Sequence, residues 1–417
     1  MRPIHDIFAT KSSWTPVALL AISAASLLLP GTIGAQQRDG FIHGTVTTES
    51  GEKYTGTLRW GKEEAFWDDL FNSNKEELPW LEEYGEAKGG KTLNVLGRKV
   101  KINWGNFGTG RQLVTRFGSL KSIENLGSDE VRLVFRGGEE IIGDGGSNDI
   151  GTRITVRDTT LGSVQLDWKR IEKIEFSNTP SGAEVGGYRL SGEVKTRRGS
   201  YRGFVQWDSE ECLSTDKLDG ESRDADHSIE MGKIRAIRRL SSKRSEVELK
   251  DGRKLRLEGT NDVDEDIRGI LIEDSRYGRV EIGWDDFEEV VFDDQGSSGR
   301  AYDELDDEGP LRGRVVTRDG ETLSGRLVYD LDEAYRWEML DGNDGDIAYI
   351  IPFALVTEVE PDGDDAARVT LRSGEKLTLE GSHDTNEDND GVLVLDGNEK
   401  DGTLVPWDQI ASIRFDN

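Results

Sequence analysis

Three stretches of this chain carry the same glycines and aromatics at the same spacing, and this repetition limits the fold more than any other feature. Gly44, Gly192 and Gly313 are each followed by Val two residues on and Thr four residues on. A turn glycine comes next, at Gly51, Gly199 and Gly320, then another at Gly56, Gly203 and Gly325. Four residues later stands an aromatic, Trp60, Trp207 or Tyr329, and then an acidic pair, Glu63-Glu64, Glu210-Glu211 or Asp332-Glu333. A Gly-x-x-Asp turn follows later, ending at Asp149, Asp262 and Asp384. Trp168, Trp284 and Trp407 each precede a Phe by eight residues: Phe176, Phe292 and Phe415. The copies run from about 41 to 176, 188 to 292 and 311 to 415. Residues 177–187 and 293–310 are linkers, the second with the Asp, Glu, Gly and Ser content of a solvated connector. Only the first copy has an insertion, at about 75–110, carrying Trp80, Trp104 and Phe107.

The apolar pattern has a period of two. Leu249, Leu255 and Leu257 flank the turn Asp251-Gly252, and Val369, Leu371, Leu377 and Leu379 flank Ser373-Gly374. Short alternating runs joined by such turns read as antiparallel hairpins, about five strands in each half-copy. No segment after the first 35 residues shows a helical period. The expected class is all-β.

From Val369 to Ile413 the chain reads strand, Gly374, strand, Gly381, strand, then Leu404-Val405-Pro406-Trp407 and a short turn to Ile410 and Ile413. This resembles an Sm-like or SH3-like small barrel, and the short modules of that kind in bacterial envelope proteins. The resemblance extends over all six half-copies and implies three tandem pairs of five-stranded barrels. A β-propeller is the alternative assembly. The Asp-aromatic-apolar-Asn signature of true Sm proteins is missing, so RNA binding is not implied.

The N-terminus reads as a secretory signal. Arg2 and Lys11 precede a 13-residue apolar run, Val17 to Leu29, too short to span a bilayer comfortably. Ile33-Gly34-Ala35 suits cleavage before Gln36, a retained anchor being the alternative, and no later stretch reaches transmembrane length. The expected location is periplasmic or secreted. Cys212 is the only cysteine, so no intrachain disulfide forms, and a small core residue is its expected role. The formal charge of −29 disfavours nucleic acid as a partner.

Three groups of residues are candidate sites. Asp262, Asp264 and Asp266 alternate, as do Asp384, Asn386, Asp388 and Asp390 ahead of Gly391, the way oxygen ligands wrap Ca²⁺. The twelfth position counted from Asp384 is Leu395, so the bidentate Glu of such loops is missing. Structural turns are the competing role, with Asp149, Asp262 and Asp384 each capping one. Trp60, Trp67, Trp80 and Trp104 would form a sugar-stacking platform if exposed, whereas Trp168, Trp284 and Trp407 read as core. Lys233, Arg235 and Arg239 share a basic stretch that could hold an acidic glycan or partner, or else pair with the chain's own carboxylates. His43, His227 and His383 sit in no catalytic spacing. Carboxylates are abundant enough to form a glycosidase-like couple, but nearly equivalent copies do not suit one asymmetric active site. The expected function is a non-enzymatic envelope binding or scaffolding protein, its partner an envelope protein or glycan. A carbohydrate-binding protein and a calcium-stabilised surface protein are the alternatives.

Overall fold

The computed structural model describes residues 38–84, 111–127, 129–145, 149–294, 296–305, 309–395, 397 and 402–416. The secretory-signal reading and Trp104 lie outside them. The described chain is all-β, in antiparallel sheets, with one α-helix. No helix among the described residues is long and apolar enough to cross a membrane.

The first stretch sets the pattern. Its strands are β1 (His43–Thr48), β2 (Lys53–Trp60), β3 (Leu70–Lys75), β4 (Gln112–Arg116), β5 (Leu120–Gly127), β6 (Glu130–Phe135), β7 (Glu140–Asp144), β8 (Ile154–Asp158), β9 (Gly162–Leu166) and β10 (Ile171–Phe176), with α1 (Pro79–Tyr84) after β3. They pair in the order β4-β3-β7-β6-β5-β10-β1-β2-β8-β9. The order divides into two runs of five joined by β5 and β10. One run, β10-β1-β2-β8-β9, comes from the two ends of the stretch. The other, β3 to β7, is inserted between β2 and β8.

This corrects the expectation of two barrels in succession. One five-strand run is nested inside the other, and among the described residues no sheet closes on itself. The cause is the pairing of β1 with β10, which places Gly44 opposite Phe176. The same register occurs at Gly192 with Phe292 and at Gly313 with Phe415.

Glycine makes this packing possible. Gly44 faces Gly56, Gly192 faces Gly203 and Gly313 faces Gly325 in the neighbouring strand. A Cβ on Gly56 would lie 1.9 Å from the Arg157 carbonyl oxygen, on Gly203 1.9 Å from that of Glu273, and on Gly325 2.2 Å from that of Leu395. No other residue allows so close a backbone approach.

Single 3₁₀ turns at Phe117–Ser119, Met231–Lys233 and Phe353–Leu355 each run directly into a strand. Trp168, Trp284 and Trp407 are buried, as expected of core residues. The second and third stretches share one core and one sheet, because Gly278–Ile282 pairs with Ile347–Pro352. The first stretch has its own core, which takes in Leu305 and Trp337 from later in the chain.

Residues 293–310 do not form a purely solvated connector. Ser298 and Leu305 are buried, Tyr302 Oη donates to the Leu120 carbonyl, and Arg136 donates to the carbonyls of Tyr302 and Leu305. The described part of the insertion supplies α1, whose Trp80, Leu81 and Tyr84 pack on Val328, Leu331, Leu393 and Leu395.

Gly203→Ala is predicted to cost about 1–3 kcal/mol, the range for forcing atoms into a packed site. Gly182→Ala, with open space around it, should cost almost nothing. Urea midpoints at constant slope measure both.

Candidate functional site

The acidic pair and the Gly-x-x-Asp turn are separate features in the sequence. The fold brings them together three times. Trp60 Nε1 donates to the Asp149 carbonyl at 2.8 Å, Trp207 Nε1 to that of Asp262 at 2.9 Å, and Tyr329 Oη to that of Asp384 at 2.5 Å. Each aspartate side chain accepts a backbone N–H from the strand after the acidic pair: Asn72 to Asp149, Asp219 to Asp262, Asp341 to Asp384. They therefore brace a neighbouring strand. Glu64, Glu211 and Glu333 bridge back to the same aromatics, which holds each glutamate near its aspartate.

Burial raises the pKa of these acids. Desolvation pushes Asp262 up to about 6, Asp149 to about 7 and Glu211 to about 9, the last helped by Asp262 and Asp208. Glu64, Glu333 and Asp384 are raised well above the carboxylate range, again mainly by desolvation. A carboxyl pair raised by burial recurs at three equivalent places.

The expected calcium loops do not gather their ligands. Asp264 Oδ1 accepts the Asp266 N–H, Asp266 pairs with Lys243, Asn386 Oδ1 accepts the Asp388 N–H, and Asp390 pairs with Arg111. Among the described residues one acidic group could hold a cation, Asp208, Glu211 and Asp262, with oxygens within 4.8 Å of one another. The Arg268 guanidinium already lies against Asp208, its Nε at 3.1 Å. The turn sequence missed Asp208 and Glu211 because they belong to the other half of the copy.

The basic stripe is neutralised by its surroundings. Lys233 pairs with Glu230 at 3.1 Å, Arg235 with Glu248 at 3.5 Å and Arg239 with Asp285 at 2.6 Å. Trp60 and Trp67 are fully buried and offer no face to a sugar. Trp80 is half-buried under its contact with the third stretch.

Cations join the stretches instead. Buried Lys75 contacts Asp332 at 3.2 Å and Glu338 at 2.7 Å, and Arg111 reaches Asp330 and Asp390. Arg189 contacts Asp68 and Asp69, and Arg59 contacts Asp216. Asp69, Asp216 and Glu338 are equivalent: each also accepts two consecutive backbone N–H groups. Cys212, one of these donors, is buried, and desolvation raises its thiol pKa.

The outward faces of the β2-β8-β9 unit and its two counterparts differ most. In the third stretch that face is Val328, Leu393, Leu395 and Leu404, covered by α1. In the second it includes Phe204, Gln206, Leu271, Glu273 and Arg279. There Arg189 stacks on Phe204, and Gln206 donates to the Glu63 carbonyl, leaving a space of only 10 Å³. In the first stretch the same positions are Arg59, Thr155, Arg157, Ser163 and Gln165, and they floor a cleft of 710 Å³. The second stretch contributes Glu210, Glu211, Lys217, Asp219 and Asp262 to its lining. An adjoining space of 570 Å³ shares Gly61, Lys62, Thr155, Gln165 and Glu210 with it, so the groove is elongated.

Acids with raised pKa stabilise the fold when neutral, and that contribution is lost as pH rises through about 6 to 9. Asp68, Asp158 and Asp274 are lowered, so their contribution is lost only as pH falls below the usual carboxylate range. The melting midpoint is predicted to peak near about pH 5 and to fall towards about pH 9. Lys75→Met strands two buried carboxylates and should cost about 3–5 kcal/mol. Adding Asp332→Asn and Glu338→Gln should recover most of that loss in the same urea titration.

No family model, curated protein or solved structure matches this chain.

Proposed function

We propose that this chain is a non-enzymatic, exported binding protein of the bacterial cell envelope, and that it holds a polar ligand in the groove between its first two copies. The observation that carries this reading is the contrast between three equivalent sheet faces. Two are covered from within the chain, and the third is polar and opens on 710 Å³. That volume falls within the roughly 300–1,000 Å³ of small-molecule sites. Its concavity favours a glycan-sized ligand over a protein, which would need a broader flat surface.

Three tandem copies of a module related to Sm-like and SH3-like units belong to this reading. Supporting them are the recurring glycine register and the two five-strand runs in each ten-strand order. The first copy serves as the hub, in contact with both others through Lys75, Arg59 and Asp69. A binding role without catalysis accounts for a carboxyl pair present in every copy. Export rests on the charged and apolar N-terminal segment.

A panel of soluble envelope oligosaccharides tests the proposal by thermal shift. At least one should raise the melting midpoint by several degrees at a hundredfold excess over its Kd, equivalent to about 2.7 kcal/mol. Ser163→Trp, which fills the groove from an exposed position, should abolish the shift and leave the unliganded midpoint unchanged. A panel with no shift at any concentration would refute a glycan site.

A further inference from the structure

The groove's chemistry narrows the ligand further, given that it is the binding site. Arg157 from the first stretch and Lys217 from the second both line it. Neither side chain makes a hydrogen bond or ion pair with any described residue. The other groove cations are engaged: Arg59 with Asp216, Lys62 with Glu210, and Arg268 with Asp208 and Glu210. In a chain with 53 basic and 82 acidic residues, two cations without carboxylate partners in one cleft run against the composition.

The equivalent positions in the other copies make the point sharper. Arg157 corresponds to Glu273, which pairs with Arg279, and to Leu395, which is buried under α1. Lys217 corresponds to Leu70 and Met339, both buried in an apolar cluster. Thr155 replaces Leu271 and Leu393. The fold therefore requires neither cation and accepts leucine at all three places. Gly186 supports the arrangement, because a Cβ there would lie 2.4 Å from Arg157 Nη2. The guanidinium thus lies against bare backbone.

We infer that the groove takes a saccharide bearing a carboxylate, its acid group held between Arg157 and Lys217 and its hydroxyls by Thr155, Ser163 and Gln165. A guanidinium fork matches a carboxylate with two parallel N–H···O bonds. Hydroxyls and an amide on one sheet face, with the Asp219 carboxylate in the same lining, match the alternating donors and acceptors of a sugar ring. The elongated groove leaves room for neighbouring rings. The chain's overall negative charge disfavours densely charged polyanions and suits an isolated uronic acid in an otherwise neutral chain.

Isothermal titration of the full chain tests this with three ligands: a glucuronate-containing oligosaccharide, the same oligosaccharide with its carboxyl reduced to an alcohol, and citrate. The acidic sugar should bind about tenfold or more tighter than the reduced one. Arg157→Gln and Lys217→Gln should each remove most of that difference between the two sugars. Both side chains lie at the groove wall, and unchanged melting midpoints would verify folding. If acidic and reduced sugars bind equally and Ser163→Trp abolishes both, the carboxylate inference is overturned and the binding groove stands. Citrate binding as tightly as the acidic sugar would make the site a simple anion site and overturn the saccharide. If no saccharide of either kind binds, the groove reading and the inference both fall.

Discussion

At Gly44, Gly192 and Gly313 one strand runs between two others so closely that no side chain fits, and the rest of the architecture depends on that contact. The glycines let the first strand of each copy pair with the second and the last at once. This returns the end of the copy to its beginning. The five intervening strands must then leave between β2 and β8 and form their own run. The same crossing sets Trp60, Trp207 and Tyr329 at the end of the second strand, where each reaches the carbonyl of the turn aspartate. Backbone sterics at a few glycines thus decide where the polar groups meet.

Those polar groups explain how so acidic a chain packs. Buried carboxyls stay neutral, accept backbone N–H groups, or meet a cation from another copy. Lys75 combines two of these solutions, because the Glu338 it pairs with also receives the N–H groups of Ala334 and Tyr335. Burial alone would lower the Lys75 pKa; the carboxylates of Asp332 and Glu338 more than offset it, and the side chain stays charged. Such pairs contribute little net stability compared with apolar contacts, but their geometry fixes which surfaces meet. The apolar contacts between the first and third copies, with Phe135 stacked on Trp337 at 3.9 Å, supply the favourable burial.

Much of this was legible in the residues. Alternation marked the strands, and equal spacing marked the equivalent glycines, tryptophans and carboxyls. The nesting was not legible, because a period-two pattern says which face of a strand is buried and nothing about its partner. Trp60 and Trp67 look the same in sequence as core or as platform, and only packing separates the roles. The alternating aspartates of residues 262–266 suggested one ligand sphere. In the fold Asp262 turns inward to Asp208 and Glu211, while Asp266 faces solvent beside Lys243. Lys75, Arg59 and Arg189 carried no local signal, since one cation among many is conspicuous only once its buried partner is known.

Repetition within one chain supplies a comparison that a single domain lacks. Each stretch of equal spacing shows what the strand register needs at a position, and a departure in one stretch shows what it does not need. Leu395 at the Arg157 position and Met339 at the Lys217 position serve the fold through burial. A charged side chain there, intermediate in exposure at Arg157 and exposed at Lys217, gives up that burial, worth about 1.5–3 kcal/mol for a side chain of this size, and gains no ion pair in return. Arg157 lies on the uncovered outer face of the first stretch and Lys217 on a strand of the second, and both line the same groove. A solvated loop region would account for one stray cation. Two cations lining a single groove, one from each of two stretches, are what the proposed acidic ligand would account for.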